Sequence, residues 1–193
     1  MNSNTYNKLS DDVINQIKDF TYHHLTEEQK SLIDELIPNE ELRERYKKYG
    51  LCKECSQPNT GQNWCQSCNS KHFQCDFNKW TSGNKEIDEF IQKFQLNATR
   101  YEEVLEWVPY EKFSDIEYVA KGGFGTVHKA KWIDGHIMNW NIGQNKWNRV
   151  KNEKIVLKSL NNSQNITTDF LQEVCNLLFI IDVISVQMYL IFN

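Results

Sequence analysis

Two groups of residues in this chain have types and spacings suited to chemistry. The first is the run Val119, Ala120, Lys121, Gly122, Gly123, Phe124, Gly125, Thr126 and Val127. Its glycines leave a stretch of backbone bare, so main-chain N–H groups can lie close over a polyphosphate. Val119 and Val127 flank the glycines as residues of two antiparallel strands would. Further on, Val156-Leu157-Lys158 places an ammonium at the end of an apolar strand, where it can meet phosphate oxygens as a point charge. The second group is Cys52-x2-Cys55 and Cys65-x2-Cys68, nine residues apart, with Pro58, Asn59 and Gly61 between the pairs. Each pair makes a tight knuckle that aims both sulfurs at one ion, and four thiolates enclose a tetrahedral zinc ion with no open position, which makes the site structural. His72 and Cys75 are near enough in sequence to be alternative ligands. A segment this polar holds little apolar material to keep it folded without a metal.

The elements that must position these groups follow from periodicity and caps. Ser10-Asp11-Asp12 opens a helix with Val13, Ile14, Ile17 and Phe20 on one face. Thr26 to Gln29 is a capping-box pattern ahead of Leu32, Ile33, Leu36 and Ile37, and Pro38 ends that helix. Asn39 caps a third helix, with Leu42, Tyr46 and Tyr49 on one side and Gly50 as its stop. The cysteine segment suits a small ribbon turning at Pro58–Gly61. Ile87, Phe90, Ile91, Phe94 and Leu96, then Tyr101, Val104, Leu105, Trp107 and Val108, recur at helical spacing until Pro109. From Phe113 the period shifts to strands: 116–121 and 126–132 alternate around the glycines, and 154–160 reads as a third strand. Between them, 136–152 carries Trp140 and Trp147 among Asn, Lys and Arg, the pattern of a solvated hairpin excursion. Residues 177–192 are almost wholly apolar but short for a membrane span and interrupted by Asp182.

Composition narrows the class. The chain has 193 residues, 25% of them charged, and a formal net charge of −4, which argues against a nonspecific nucleic-acid binder. The N-terminus has no apolar stretch of the secretory kind, so a cytoplasmic location and reduced cysteines are expected, which favours metal over disulfides. Thr126, Ser114 and Lys121 have no histidine base arranged for them.

The phrases WCQSCNSKHFQCDFNKWTSGN, YEEVLEWVPYEKFSDIEYVAKGGFGTVHKAKW and IVLKSLNNSQNITTDFLQE carry a resemblance. Residues 113–174 resemble the start of a protein kinase domain, nearest to tyrosine-kinase-like fungal kinases, and Asn63–Asp134 is similar to an expanded fungal family of them. The resemblance implies that 119–127 is the Gly-rich ATP loop, that Lys158 pairs the phosphates, and that Glu173 on the next helix steadies that lysine. There are departures. Ala120 replaces the loop's first glycine, and Leu157 stands for the strand's alanine, where its bulk would crowd the adenine pocket. No His-Arg-Asp or Asp-Phe-Gly follows, and Asp76-Phe77-Asn78 is no substitute. Phosphoryl transfer needs a base and magnesium-binding carboxylates, so this chain alone is expected to be inactive.

The expected fold class is therefore α+β. It comprises a helical region (1–50), a zinc-ribbon-like module (51–78), an amphipathic helical linker (79–112), a partial kinase N-lobe of antiparallel sheet plus helix (113–180), and an apolar tail outside the family pattern (181–193). The expected function is that of a truncated protein kinase, Ser/Thr or Tyr, with ATP and zinc as ligands and a protein as substrate or partner, without nucleic acid or membrane. The alternative is a non-catalytic zinc-binding interaction module.

Overall fold

The computed structural model describes residues 8–122, 125–160 and 188–191. The fold is α+β, with five α-helices followed by strands among the described residues. Two compact units are present. One takes in the chain up to Asp76 with Phe94–Val104 and Asn139–Lys146; the other takes in Phe77–Lys93, Leu105–Met138 and the described residues from Trp147 onward.

In the first unit, α1 (Asp11–Ile17), α2 (Glu27–Leu36) and α3 (Glu40–Tyr49) form as their caps dictate. The Ser10 hydroxyl accepts from the Val13 N–H. Thr26 and Gln29 close a reciprocal capping box. The Asn39 side chain accepts from the Leu42 N–H, and Gly50 stops α3 at φ +67°. These caps satisfy N–H groups that a helix start leaves without partners. The apolar faces meet in a core of Leu9, Ile14, Ile17, Ile33, Ile37, Leu42 and Tyr46. The buried Tyr46 hydroxyl donates to the Ile17 carbonyl at 2.7 Å, and burial pushes its pKa up to about 12.

The same unit continues without a break into the cysteine segment. That segment is not a ribbon. Only the isolated bridges Leu51–Pro58 and Gly61–Trp64 pair backbone there, and α4 (Gln66–Asp76) follows at once. Pro58 has no N–H to extend a ladder, and Ser56 and Asn63 adopt positive φ, which curls the chain rather than extending it. Helix α5 (Lys85–Asn97) begins after the Ser82–Asn84 turn. The helical spacing over 101–108 does not yield a helix. Glu103 accepts from the Thr99 N–H at 2.8 Å, the Thr99 hydroxyl at 2.9 Å and Arg100 Nε at 2.9 Å. The chain makes one 3₁₀ turn (Tyr101–Glu103) and then runs extended.

In the second unit, β1 (Phe113–Gly122), β2 (Gly125–Trp132) and β5 (Glu153–Leu160) lie antiparallel in that order. β6 (Met188–Ile191) joins the far edge of β5 in parallel, so the sheet is not wholly antiparallel and four residues of the expected tail belong to it. β3 (Ile137–Asn141) and β4 (Lys146–Arg149) form a separate hairpin. Its base is buried rather than solvated. Ile137 is 3% exposed, its N–H donates to Glu106 at 3.2 Å, and Arg149 pairs with the same carboxylate. Burial raises the Glu106 pKa, against the pull of Arg149. One face of the main sheet packs Phe113, Ala130, Trp132, Ile155 and Leu157 into a core.

Candidate functional site

The two knuckles bring Cys52, Cys55, Cys65 and Cys68 together with all their sulfurs within 4.8 Å of one another. The Cys52–Cys68 and Cys55–Cys65 Sγ separations are 3.9 Å and 3.6 Å. A tetrahedral zinc ion with Zn–S of about 2.3 Å requires sulfur separations of about 3.8 Å, so the donors fit it. All four thiols are free.

Local backbone builds this arrangement. In the first knuckle, the Ser56 N–H donates to the Cys52 carbonyl at 2.9 Å, and the Glu54 N–H points at Cys52 Sγ from 3.4 Å. In the second, Cys65 immediately precedes α4 and Cys68 lies in its first turn, where the helix N-terminus favours negative sulfur. Long-range contacts fix the loop between the knuckles. Arg45 donates to the carbonyls of Pro58 and Asn59 at 2.6 and 3.1 Å. Gln57 exchanges two hydrogen bonds with the Leu9 backbone. The fully buried Trp64 donates its indole N–H to the Ala98 carbonyl at 2.9 Å.

The thiols are electrostatically coupled. Hydrogen bonds from Cys52 and Cys65 hold Cys55 far below the usual thiol range, at about 2. The hydrogen bond with Cys52 pushes Cys65 up, and burial pushes Cys68 up to about 12. Sulfurs this close cannot all ionise without a cation to offset their repulsion. A bound dication removes that restriction. His72 and Cys75 are not in the set: His72 bonds Glu54 at 2.9 Å, and Cys75 is exposed.

In the sheet unit, Gly122 pairs with Gly125, and Lys121 and Ala120 pair with Thr126 and Val127. Gly123 and Phe124 lie outside the described residues. Val119 has no partner opposite it, because the register shifts between Tyr118 and Ala120, and it is 46% exposed. Across β2 and β5, Val127 opposes Lys158 and Lys129 opposes Val156. Directly opposed residues share a face and successive residues alternate between faces, so Ala120, Val127, Val156 and Lys158 lie together. The core lies on the other side. Leu157 is there, fully buried, so it does not crowd the face of Lys158; Val156, two residues before Lys158 on β5, is on the lysine's side. Lys158 is half-buried and pairs with no carboxylate among the described residues. Glu173 lies outside the described residues, so its expected pairing with Lys158 has no geometry here.

Comparison with protein-family models, curated proteins and solved structures found no match. Among the described residues, no helix is long and apolar enough to cross a membrane. Sequence reasoning identified the cysteines by spacing but missed α4, Glu54's tie to His72, and the anchoring of Trp64. The signal for α4 was weak, since Cys68, Asn69 and Phe73 are its only buried positions.

Proposed function

We propose that the sheet unit is the nucleotide-cradling part of an ATP-dependent protein kinase, and that the cysteine centre holds a structural zinc ion. The observation that carries the kinase reading is the common face of Val127, Val156 and Lys158, on strands that continue into the Gly122–Gly125 pair. Each part has a physical task. The glycine end presents bare main chain to a polyphosphate. The valines offer an apolar surface to a flat base. Lys158 brings a half-buried ammonium to phosphate oxygens. Phosphoryl transfer to a protein hydroxyl then needs a base and magnesium-holding carboxylates, which none of these residues supplies.

The test is nucleotide binding followed by thermal shift and by titration calorimetry. ATP stabilises the wild-type protein, and Lys158→Ala removes that stabilisation while leaving the unliganded melting temperature unchanged. A shift of equal size in Lys158→Ala would refute the cradle. A second reading, a non-catalytic module that presents a zinc-braced surface to a protein partner, is favoured by the convergence of the four thiols. It predicts one bound zinc and no nucleotide-induced shift.

A further inference from the structure

We propose that the tip of the β3–β4 hairpin is a latch on the metal centre, so that metal binding and hairpin docking reinforce each other. The inference rests on the zinc reading above and extends it to a segment distant in sequence.

The tip, Asn139–Lys146, belongs to the same compact unit as the cysteines. Trp140 lies flat on His72, with ring centroids 3.8 Å apart and planes 12° from parallel. His72 sits on α4, four residues and one helical turn beyond Cys68. Its Nε2 bonds the Glu54 carboxylate at 2.9 Å. Glu54 lies inside the first knuckle, and its backbone N–H faces Cys52 Sγ at 3.4 Å. A continuous line of contacts thus runs from Trp140 through His72 to both knuckles: to Cys68 along the helix, and to Cys52 through Glu54.

The Glu54–His72 bond closes only when the two knuckles are drawn together, because one partner rides on each. Metal binding draws them together. The closed bridge then holds the imidazole in the plane on which Trp140 stacks. Loss of the metal lets the knuckles part and removes that platform. By reciprocity, loss of Trp140 must weaken metal binding by the same factor by which metal favours docking.

The experiment is a chelator competition measuring zinc Kd for the wild type, Trp140→Ala, Trp140→Phe and Ile142→Ala. Ile142 is a control on the same hairpin, 51% exposed. Trp140→Ala raises Kd about 2- to 12-fold, the equilibrium equivalent of one aromatic pair, and Trp140→Phe restores most of the affinity. Ile142→Ala leaves it unchanged. Equal Kd values for Trp140→Ala and Ile142→Ala, with one zinc still bound, overturn the latch alone. A wild type that binds no zinc overturns the metal reading and the latch with it. Should Trp140→Ala fail to fold, hydrogen exchange on the wild type decides. Zinc removal lowers amide protection at 139–146 while the α1–α3 core keeps its own; unchanged protection at the tip overturns the proposal.

Discussion

Replacing Cys68 by serine removes one corner of the sulfur tetrahedron and leaves the helix that carries it intact. The expected magnitude follows from the geometry. The Cys55–Cys65 and Cys52–Cys68 Sγ separations, 3.6 and 3.9 Å, bracket the ideal zinc value, so an equal share for each thiolate is the working assumption. Structural zinc in small peptides is held by about 10–16 kcal/mol at neutral pH, so one thiolate in four accounts for about 2.5–4 kcal/mol, or about 10²- to 10³-fold in Kd. The assay is competition against a chromophoric chelator, with native mass spectrometry to count metal. Cys75→Ser, an exposed cysteine farther along the same helix, is the control and leaves Kd unchanged. The pH dependence has a definite sign. Zinc must displace protons from Cys65, held up by its bond with Cys52, and from Cys68, held at about 12 by burial, so affinity falls as pH falls. A Cys68→Ser protein that binds zinc as tightly as the Cys75→Ser protein would refute the tetrahedral assignment. So would an affinity that does not change between pH 8 and pH 6.

Leu157→Ala empties a fully buried position in the sheet core and costs about 2–5 kcal/mol of stability, read by denaturant unfolding, while an equally stable variant would place Leu157 outside that core. Gly135→Ala must destabilise by more than about 2 kcal/mol, because Gly135 has φ +64° and an added Cβ would meet the Val150 carbonyl oxygen at 1.5 Å; a neutral effect in the same assay would contradict that turn. Tyr46→Phe loses the buried hydrogen bond to the Ile17 carbonyl and lowers stability by about 1 kcal/mol, with no change in zinc Kd.

The sequence made some elements legible because their signals are local. Thr26 with Gln29, Asn39, Pro38 and Gly50 each act within a few residues, and α2 and α3 begin and end where those residues place them. The paired strands around the glycines are local in the same sense, since alternation and a turn suffice to define them. What failed depended on distant partners. Tyr101 to Val108 has helical spacing, yet Glu103 is claimed by Thr99 and Arg100, and Glu106 by Arg149. No window of sequence contains that last ion pair. The cysteine spacing picked out the four thiols that converge but suggested a ribbon that does not form, because the curl at Ser56 and Asn63 follows from positive φ at residues that also occur in ordinary loops. Leu157 was misassigned for a different reason. Its side is set by strand alternation counted from Lys158, and adjacent residues on a strand cannot share a face.

The two sites differ in what holds them, and this separates their roles. The knuckles are positioned by polar contacts: Arg45 on the carbonyls of Pro58 and Asn59, Gln57 on Leu9, and Trp64 on Ala98. At the centre itself, the three buried cysteines and half-buried Cys55 form a cluster of their own, with no large apolar side chain among its buried members. Four sulfurs at that spacing repel once ionised, so a cation would favour the folded arrangement of this segment over the open one. On the zinc reading proposed above, a bound metal would therefore be part of the folded state. The face of Lys158 is the reverse case. Its strands are secured from the other side by Phe113, Ala130, Trp132, Ile155 and Leu157, and would remain so with the lysine's face empty. On the proposed nucleotide reading, a ligand there would add binding energy to a sheet that is already built. Chelation should accordingly unfold the cysteine segment, whereas nucleotide removal should leave the sheet standing.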